Sequence, residues 1–304
     1  MFVEEYLEEL RRDRFSPFGM LRYARRSAGR ARDHIVASPG AVRSIWSVAL
    51  LFFAAAFVAA IPMALAYDRA LAYDFFLHTA MWILPAFALV TVYVGALRDR
   101  DNYPLSAINI PIVLTLLRVA LVPGIVLFLA ERHFALAFAT FVIAALTDVA
   151  DGWIARRWSQ ITRLGTVLDP LVDIVFSLAM FAGLVFANLL DPWVLGVALL
   201  RYGILLVGGS CIYLFLGPVR IHATGFGRLT GVVMSALIGL LVLLHAINTP
   251  RAAVLLPLTQ IALGALLSAT VLHVVALGWY NLKVMTGNAR QQGRVVGDVR
   301  WGAQ

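Results

Sequence analysis

The sequence predicts an all-α integral membrane protein in which two leading transmembrane helices precede a six-helix bundle. Three observations predict it. Of 304 residues, 61% are hydrophobic and 14% charged, against about 25% charged in a soluble domain. Apolar stretches recur at close to the roughly 20 residues that a helix needs to cross a bilayer. Arginines gather in alternate connections between those stretches, as the positive-inside rule requires.

Residues 1–43 form a basic N-terminal segment. Its start, MFVEEYLEELRRDR, opens with acids and has neither an apolar core nor a small-residue cleavage site, so it does not read as a signal peptide and is expected to be retained. Phe2, Val3, Tyr6, Leu7 and Leu10 share one side of a helical wheel, which suits a short surface helix, at the membrane or simply solvated. Residues 44–104 hold two spans, because Ser44 to Tyr67 and Phe75 to Leu97 carry no formal charge. Residues 105–282 hold six more, at about 112–130, 134–155, 167–190, 192–216, 229–248 and 253–281. The short gaps near 131–133 and 191 predict two tight antiparallel hairpins. Residues 283–304 read as a tail.

The N-terminal segment holds Arg22, Arg25, Arg26, Arg30, Arg32 and Arg43; alternate connections hold Arg98 and Arg100, then Arg156, Arg157 and Arg163, then Arg220 and Arg228. The tail adds Lys283, Arg290, Arg294 and Arg300, while the opposite connections hold only Arg69, Arg132 and Arg251. Both termini are therefore expected in the cytoplasm. The formal charge of +8, spread between apolar segments, suits a lipid bilayer with anionic headgroups and not nucleic acid. The single Cys211 excludes an intrachain disulfide and a cysteine-rich zinc site.

Charges inside a span are costly and mark function by default. The run DVADGWIARRWSQITRLGTVLDPLVD places Asp148 and Asp151 three apart, and Asp169 and Asp173 four apart, so each pair shares a face of its helix. A connection of about ten residues between these helices brings both pairs to the same end. Four carboxylates in one volume repel one another and call for cations, and hard oxygen donors in this number suit Mg2+, Mn2+ or Ca2+. Gly152, Gly165 and Ala155 keep the surroundings shallow, and Arg156 offers a planar cation suited to phosphate. Snorkelling charges alone would not require small residues at those positions.

The pattern DxxDGxxARx8Gx3Dx3D, met at Asp148, Asp151, Gly152, Ala155, Arg156, Gly165, Asp169 and Asp173, resembles the signature of the CDP-alcohol phosphotransferases, over about residues 105–282. The resemblance implies a two-metal centre of Mg2+ or Mn2+ at the cytoplasmic face, held by Asp148, Asp151, Asp169 and Asp173, with Asp173 also the catalytic base. It implies a nucleotide site at Asp151, Gly152, Ala155, Arg156 and Gly165, a CDP-diacylglycerol donor, CMP as leaving group, and a homodimer. The stretch NIPIVLTLLRVALVP with ADGWIARRW and LGTVLDPLVD is similar to the phosphatidylglycerophosphate synthase branch, implying glycerol 3-phosphate as acceptor. Ile112, Ile174 and Tyr202 depart from that branch and leave inositol phosphate or a neutral alcohol open.

Thr115 is a further nucleotide-binding candidate, set against a hydroxyl bonded to its own helix backbone. Arg118 and Arg201 sit within spans and suit either an ion pair with the acids or an acceptor phosphate. Arg228, in GFGRLTG, is read as an acceptor-phosphate ligand in a connection, with Thr230 adding a hydroxyl. The six histidines lack metal-type spacing, His222 being the one nearest the site, and tryptophans 46, 82, 153, 158, 193 and 279 read mostly as interfacial belts. A membrane prenyltransferase also uses acid pairs, but not these DG and AR elements. A cation transporter would place acids at the midplane on broken helices.

Overall fold

The computed structural model describes residues 9, 10, 13, 15–216 and 225–301. The expected surface helix over residues 2–10 and the connection holding Arg220 and His222 lie largely or wholly outside the described residues. Apart from an isolated bridge between Arg98 and Pro104, the regular structure described is helical. Helix α1 (Pro17–Ala37) is followed by α2 (Pro39–Ala66), α3 (Arg69–Val92), a 3-10 turn at Val94–Ala96, α4 (Ile110–Ala130), α5 (Phe134–Arg157) and α6 (Arg163–Phe186). Helix α7 (Pro192–Gly203) passes through a π-helical stretch, Ile204–Gly208, into α8 (Gly209–Leu216); α9 (Gly225–Ile247) and α10 (Pro250–Trp301) complete the fold. Eight segments among the described residues are long and apolar enough to cross a membrane: α2 to α6, Pro192–Cys211, α9 and Pro250–Tyr280.

Four boundaries differ from expectation. Helix α1 lies within the basic N-terminal segment, where no helix is expected beyond residue 10; Ser16 Oγ accepts the Gly19 N–H at 3.1 Å and proline opens the helix, a strong start signal. Helix α3 begins at Arg69, six residues before the expected 75, and leaves helical geometry after Val92, because charges are tolerated in a terminal turn while the chain must bend at 93–97. Helix α9 begins at Gly225, so Arg228 lies in its first turn and not in a connection. Helix α10 continues to Trp301, through most of the expected tail.

Three tight turns explain the hairpins. After α4, α5 and α6 the chain closes with the 6→1 hydrogen bond of a Schellman cap: His133 N–H to Phe128 O at 2.8 Å, Gln160 N–H to Ala155 O at 3.0 Å, and Leu189 N–H to Leu184 O at 2.8 Å. The left-handed residue in each is not glycine but Arg132, Ser159 or Asn188, with φ of 60°, 54° and 59°. Helix α4 is the most buried span among those described. Its first half packs Ile112, Leu116 and Ala120 mainly with α2 and α3, and its second half packs Ile125, Phe128 and Leu129 in a larger cluster where Met63, Leu71 and Ala72 of those two helices meet α5, α6, α7, α9 and α10, with Phe128 stacked on Phe75. The leading helices are fastened to the bundle by Trp82, whose Nε1 donates to Val119 O at 3.0 Å. Pro123 follows Val119 by four and has no N–H, so that carbonyl would otherwise lack a partner. Trp82 is thus a cross-helix donor and not part of an interfacial belt.

Candidate active site

Three helix ends are tied together on one side of the molecule. Asn109 caps α4, its Oδ1 accepting the Ile112 N–H at 3.3 Å, while its Nδ2 donates to Gln160 O at 2.6 Å in the α5–α6 turn. Thr162 caps α6, its Oγ1 accepting the Gly165 N–H at 3.0 Å, and the Arg163 N–H donates to Arg98 O at 3.0 Å. At a rise of about 1.5 Å per residue, Thr115, Arg118, Asp148, Asp151, Asp169 and Asp173 then all lie roughly 7 to 15 Å from those ends. Matched depth on three adjacent helices brings six polar side chains together in otherwise apolar spans.

The contacts converge on Arg118, which is 3% exposed. Its Nη1 donates to Asp173 Oδ1 at 2.5 Å, and its Nη2 reaches Asp151 Oδ2 at 2.8 Å and Asp148 Oδ1 at 2.5 Å. Thr115 Oγ1 donates to Asp169 Oδ1 at 3.0 Å, with Asp151 Oδ2 at 3.3 Å and Pro111 O at 3.0 Å also within reach. Arg118 is therefore the ion-pair hub of the four acids, and the Thr115 hydroxyl is committed to its own helix and to two of them. Asp151 is buried, whereas Asp148 and Asp173 keep exposed side chains, 55% and 60%, so the cluster opens on one side.

Gly152 and Gly165 have local uses beyond making room for a ligand. A Cβ at Gly152 would stand 3.2 Å from Arg156 Nη1, so the bare backbone lets the guanidinium fold over it. A Cβ at Gly165 would stand 3.1 Å from Thr162 Oγ1, the atom that caps α6. The Ala155 carbonyl closes the α5 cap, and Arg156 is exposed at the rim. Arg201 bonds Tyr202 Oη at 3.2 Å and lies 4.9 Å from that ring, with a buried Nε left unpaired; it precedes the π-helical stretch. Arg228 is exposed. Among the described residues neither Arg201 nor Arg228 pairs with the four acids. The Thr230 hydroxyl donates back to Phe226 O at 2.9 Å and Gly227 O at 3.1 Å, so it is not presented to a ligand as expected. Asn109, Gln160 and Thr162 were not singled out by sequence; an Asn and a Thr standing just before apolar runs were the available signal.

As placed, no three His, Cys, Asp or Glu side chains among the described residues are disposed around a single metal position. The donor set nonetheless fits cations. Four carboxylates surround one buried guanidinium, so the cluster carries an excess of negative charge, and a cation already occupies the point on which three of them converge. Outward rotation of the exposed Asp148 and Asp173 side chains would bring hard oxygens toward an ion at the open side.

A family model described as CDP-alcohol phosphatidyltransferase matches residues 108–285, which include all four acids. The chain is 33% identical over 130 residues to a probable cardiolipin synthase (CMP-forming) of Drosophila melanogaster, covering 42% of this chain and 39% of that protein. It is 53% identical over 68 residues to a CDP-diacylglycerol--glycerol-3-phosphate 3-phosphatidyltransferase of Pectobacterium atrosepticum, covering 21% of this chain and 37% of that one. It is 32% identical over 129 residues to the protein of the same description in Aquifex aeolicus, covering 42% of this chain and 71% of its relative. The chain thus spans well under half the length of the fly and Pectobacterium relatives.

Proposed function

Because the chain belongs to the CDP-alcohol phosphatidyltransferase family, we propose that it transfers a phosphatidyl group from CDP-diacylglycerol to glycerol 3-phosphate and releases CMP. The observation that carries the reading is the convergence of Asp148, Asp151, Asp169 and Asp173, from two helices of the matched region, on one partly open cluster. Val149, Trp153 and Val167 are exposed beside the acids, which gives a lipid-linked diphosphate a lateral approach. Arg156 at the rim meets the nucleotide phosphates, and Gly152, Ala155 and Gly165 line the nucleotide's path. Asp151 and Asp169 are held in place by Arg118 and Thr115, and Asp148 and Asp173 face the opening.

The four acids would hold Mg2+ or Mn2+, which offsets charge on the diphosphate and on departing CMP. Asp173 takes the proton of the acceptor hydroxyl as that oxygen attacks the β-phosphorus. The new P–O bond forms while the bond from β-phosphorus to the CMP oxygen breaks, and Asp173 then returns its proton to water. No covalent enzyme intermediate is needed. The reaction takes place on the cytoplasmic side, where the arginine-rich connections lie, and Arg228 in the first turn of α9 recognises the acceptor phosphate. A second phospholipid as acceptor is the other reading, favoured by the lateral opening and by the relative named cardiolipin synthase.

Purified protein incubated with CDP-diacylglycerol, Mg2+ or Mn2+ and a panel of acceptors tests this through CMP release. Glycerol 3-phosphate should be the best acceptor, EDTA should abolish release, and Asp173→Asn should lower turnover about 10²- to 10⁴-fold with CDP-lipid still bound. Full activity in chelator would sink the metal assignment, and release stimulated only by a phospholipid acceptor would favour the second reading.

A further inference from the structure

Helix α1 has two unlike sides. Gly19, Tyr23, Ser27, Arg30 and His34 recur at helical spacing and are buried or half-buried against the protein. A Cβ at Gly95 would lie 2.7 Å from the His34 ring, so the imidazole rests on the Val94–Ala96 turn and fixes the rotation of α1 about its axis. The opposite side carries Met20, Leu21, Ala24 and Ala28, all exposed, with Met20 at 54% and Leu21 at 68%. Arg25 and Arg32, also exposed, border this apolar stripe. A helix of a globular protein turns such a stripe toward the core. Ala31 and Ile35 continue the stripe half-buried, Ile35 against the cluster formed mainly by α2, α3 and α4, whereas over the first half of α1 the small and polar side faces the protein and the apolar side faces away.

What covers that side follows from its position and charge. A single residue, Ser38, separates α1 from the spanning helix α2, so the C-terminal end of α1 stands at the membrane end of a span. Within α1 there are five arginines and one acid, Asp33. An apolar stripe edged by arginine at the level of a bilayer surface has the chemistry of an interfacial helix on an anionic leaflet. We propose that α1 lies in the leaflet on the active-site side, with Met20, Leu21, Ala24 and Ala28 in the headgroup–acyl boundary and Arg25 and Arg32 on anionic phospholipid headgroups.

The test uses the full chain with Cys211→Ser and Ala28→Cys, labelled at position 28 with an environment-sensitive fluorophore, in phosphatidylcholine vesicles with or without phosphatidylserine. With phosphatidylserine the emission should shift to the blue, resist quenching by aqueous iodide and be quenched by lipid-borne nitroxide. Arg25→Gln and Arg32→Gln should each weaken that phosphatidylserine dependence about fivefold. A probe equally open to iodide in both vesicles overturns the proposal. So does a probe equally buried in both, or one shielded from iodide yet untouched by nitroxide lipid, as burial by a protein partner would give. These readouts do not involve CMP release, so they stand or fall apart from the proposed reaction.

Discussion

Replacing Arg118 with leucine would leave Asp148, Asp151 and Asp173 facing one another without their shared cation. Removing one partner of a buried ion pair typically costs about 3–5 kcal/mol, and here one guanidinium serves three carboxylates. Arg118→Leu should therefore melt at a lower temperature in detergent. Mg2+ should raise that melting temperature more than it raises the parent protein's, since a divalent ion would take over the lost charge. If Mg2+ raises neither melting temperature, the acids do not share a cation site. Arg228 tests the acceptor instead. A charge-assisted contact to a phosphomonoester is worth roughly 1.5–3 kcal/mol, so Arg228→Ala should raise the acceptor KM about tenfold or more while leaving the KM for the CDP-lipid nearly unchanged. An unaltered acceptor KM would reduce Arg228 to a topological anchor. The two arginines also show what spacing can and cannot reveal. Paired acids at helical intervals were legible because i, i+3 and i, i+4 place them on one face. That Arg118 would be their hub depends on the depth of a third helix, which no local pattern contains.

Within the helices, prolines make tertiary contacts necessary. Pro123 leaves Val119 O without its helical donor, and Trp82 supplies one from α3. Trp82→Phe should cost about 1 kcal/mol, within the range for an interhelical hydrogen bond in a membrane. In a Pro123→Ala background, where residue 123 regains an N–H, the same substitution should cost less, and the coupling is read from a double-mutant cycle of unfolding free energies. A cost that does not change with the background would mean that Trp82 acts by packing alone. Hydrophobic length was enough to find the spanning helices, because the bilayer imposes one dimension on all of them. Their ends were less legible for a physical reason. Three of the turns hold Arg132, Ser159 and Asn188 in left-handed geometry, where glycine would have marked the stop. Helix α1 escaped notice because five arginines hide a short stripe, two of whose four apolar members are alanine, although Ser16 and Pro17 announce its start.

At the scale of the whole chain, the two leading spans, the bundle and α1 share one polar end. Gly40 approaches Ser106 O so closely that a Cβ would lie 3.0 Å from it, Ser44 Oγ accepts the Ile108 N–H at 3.2 Å, and Arg98 O accepts from Arg163, so the starts of α2, α4 and α6 stand side by side. Arg22, Arg25, Arg26, Arg30, Arg32, Arg43, Arg98, Arg100, Arg156, Arg157 and Arg163 belong to this same end, while the opposite ends of the spans hold Arg69, Arg132 and Arg251. Orientation by positive charge would place the polar end, and the acids near it, in the cytoplasm, as proposed above. The proposed orientation predicts the sidedness of single cysteines placed in a Cys211→Ser background. Gln160→Cys, in the α5–α6 turn, should react with a membrane-impermeant maleimide only after the cells are opened. Pro250→Cys should react from outside intact cells, because three spans separate the two positions: α6, the α7 segment and α9. Labelling of both from the same side would show that one of these three helices does not cross, and either Arg228 or the basic residues that follow the last span would then lie on the side opposite the acids.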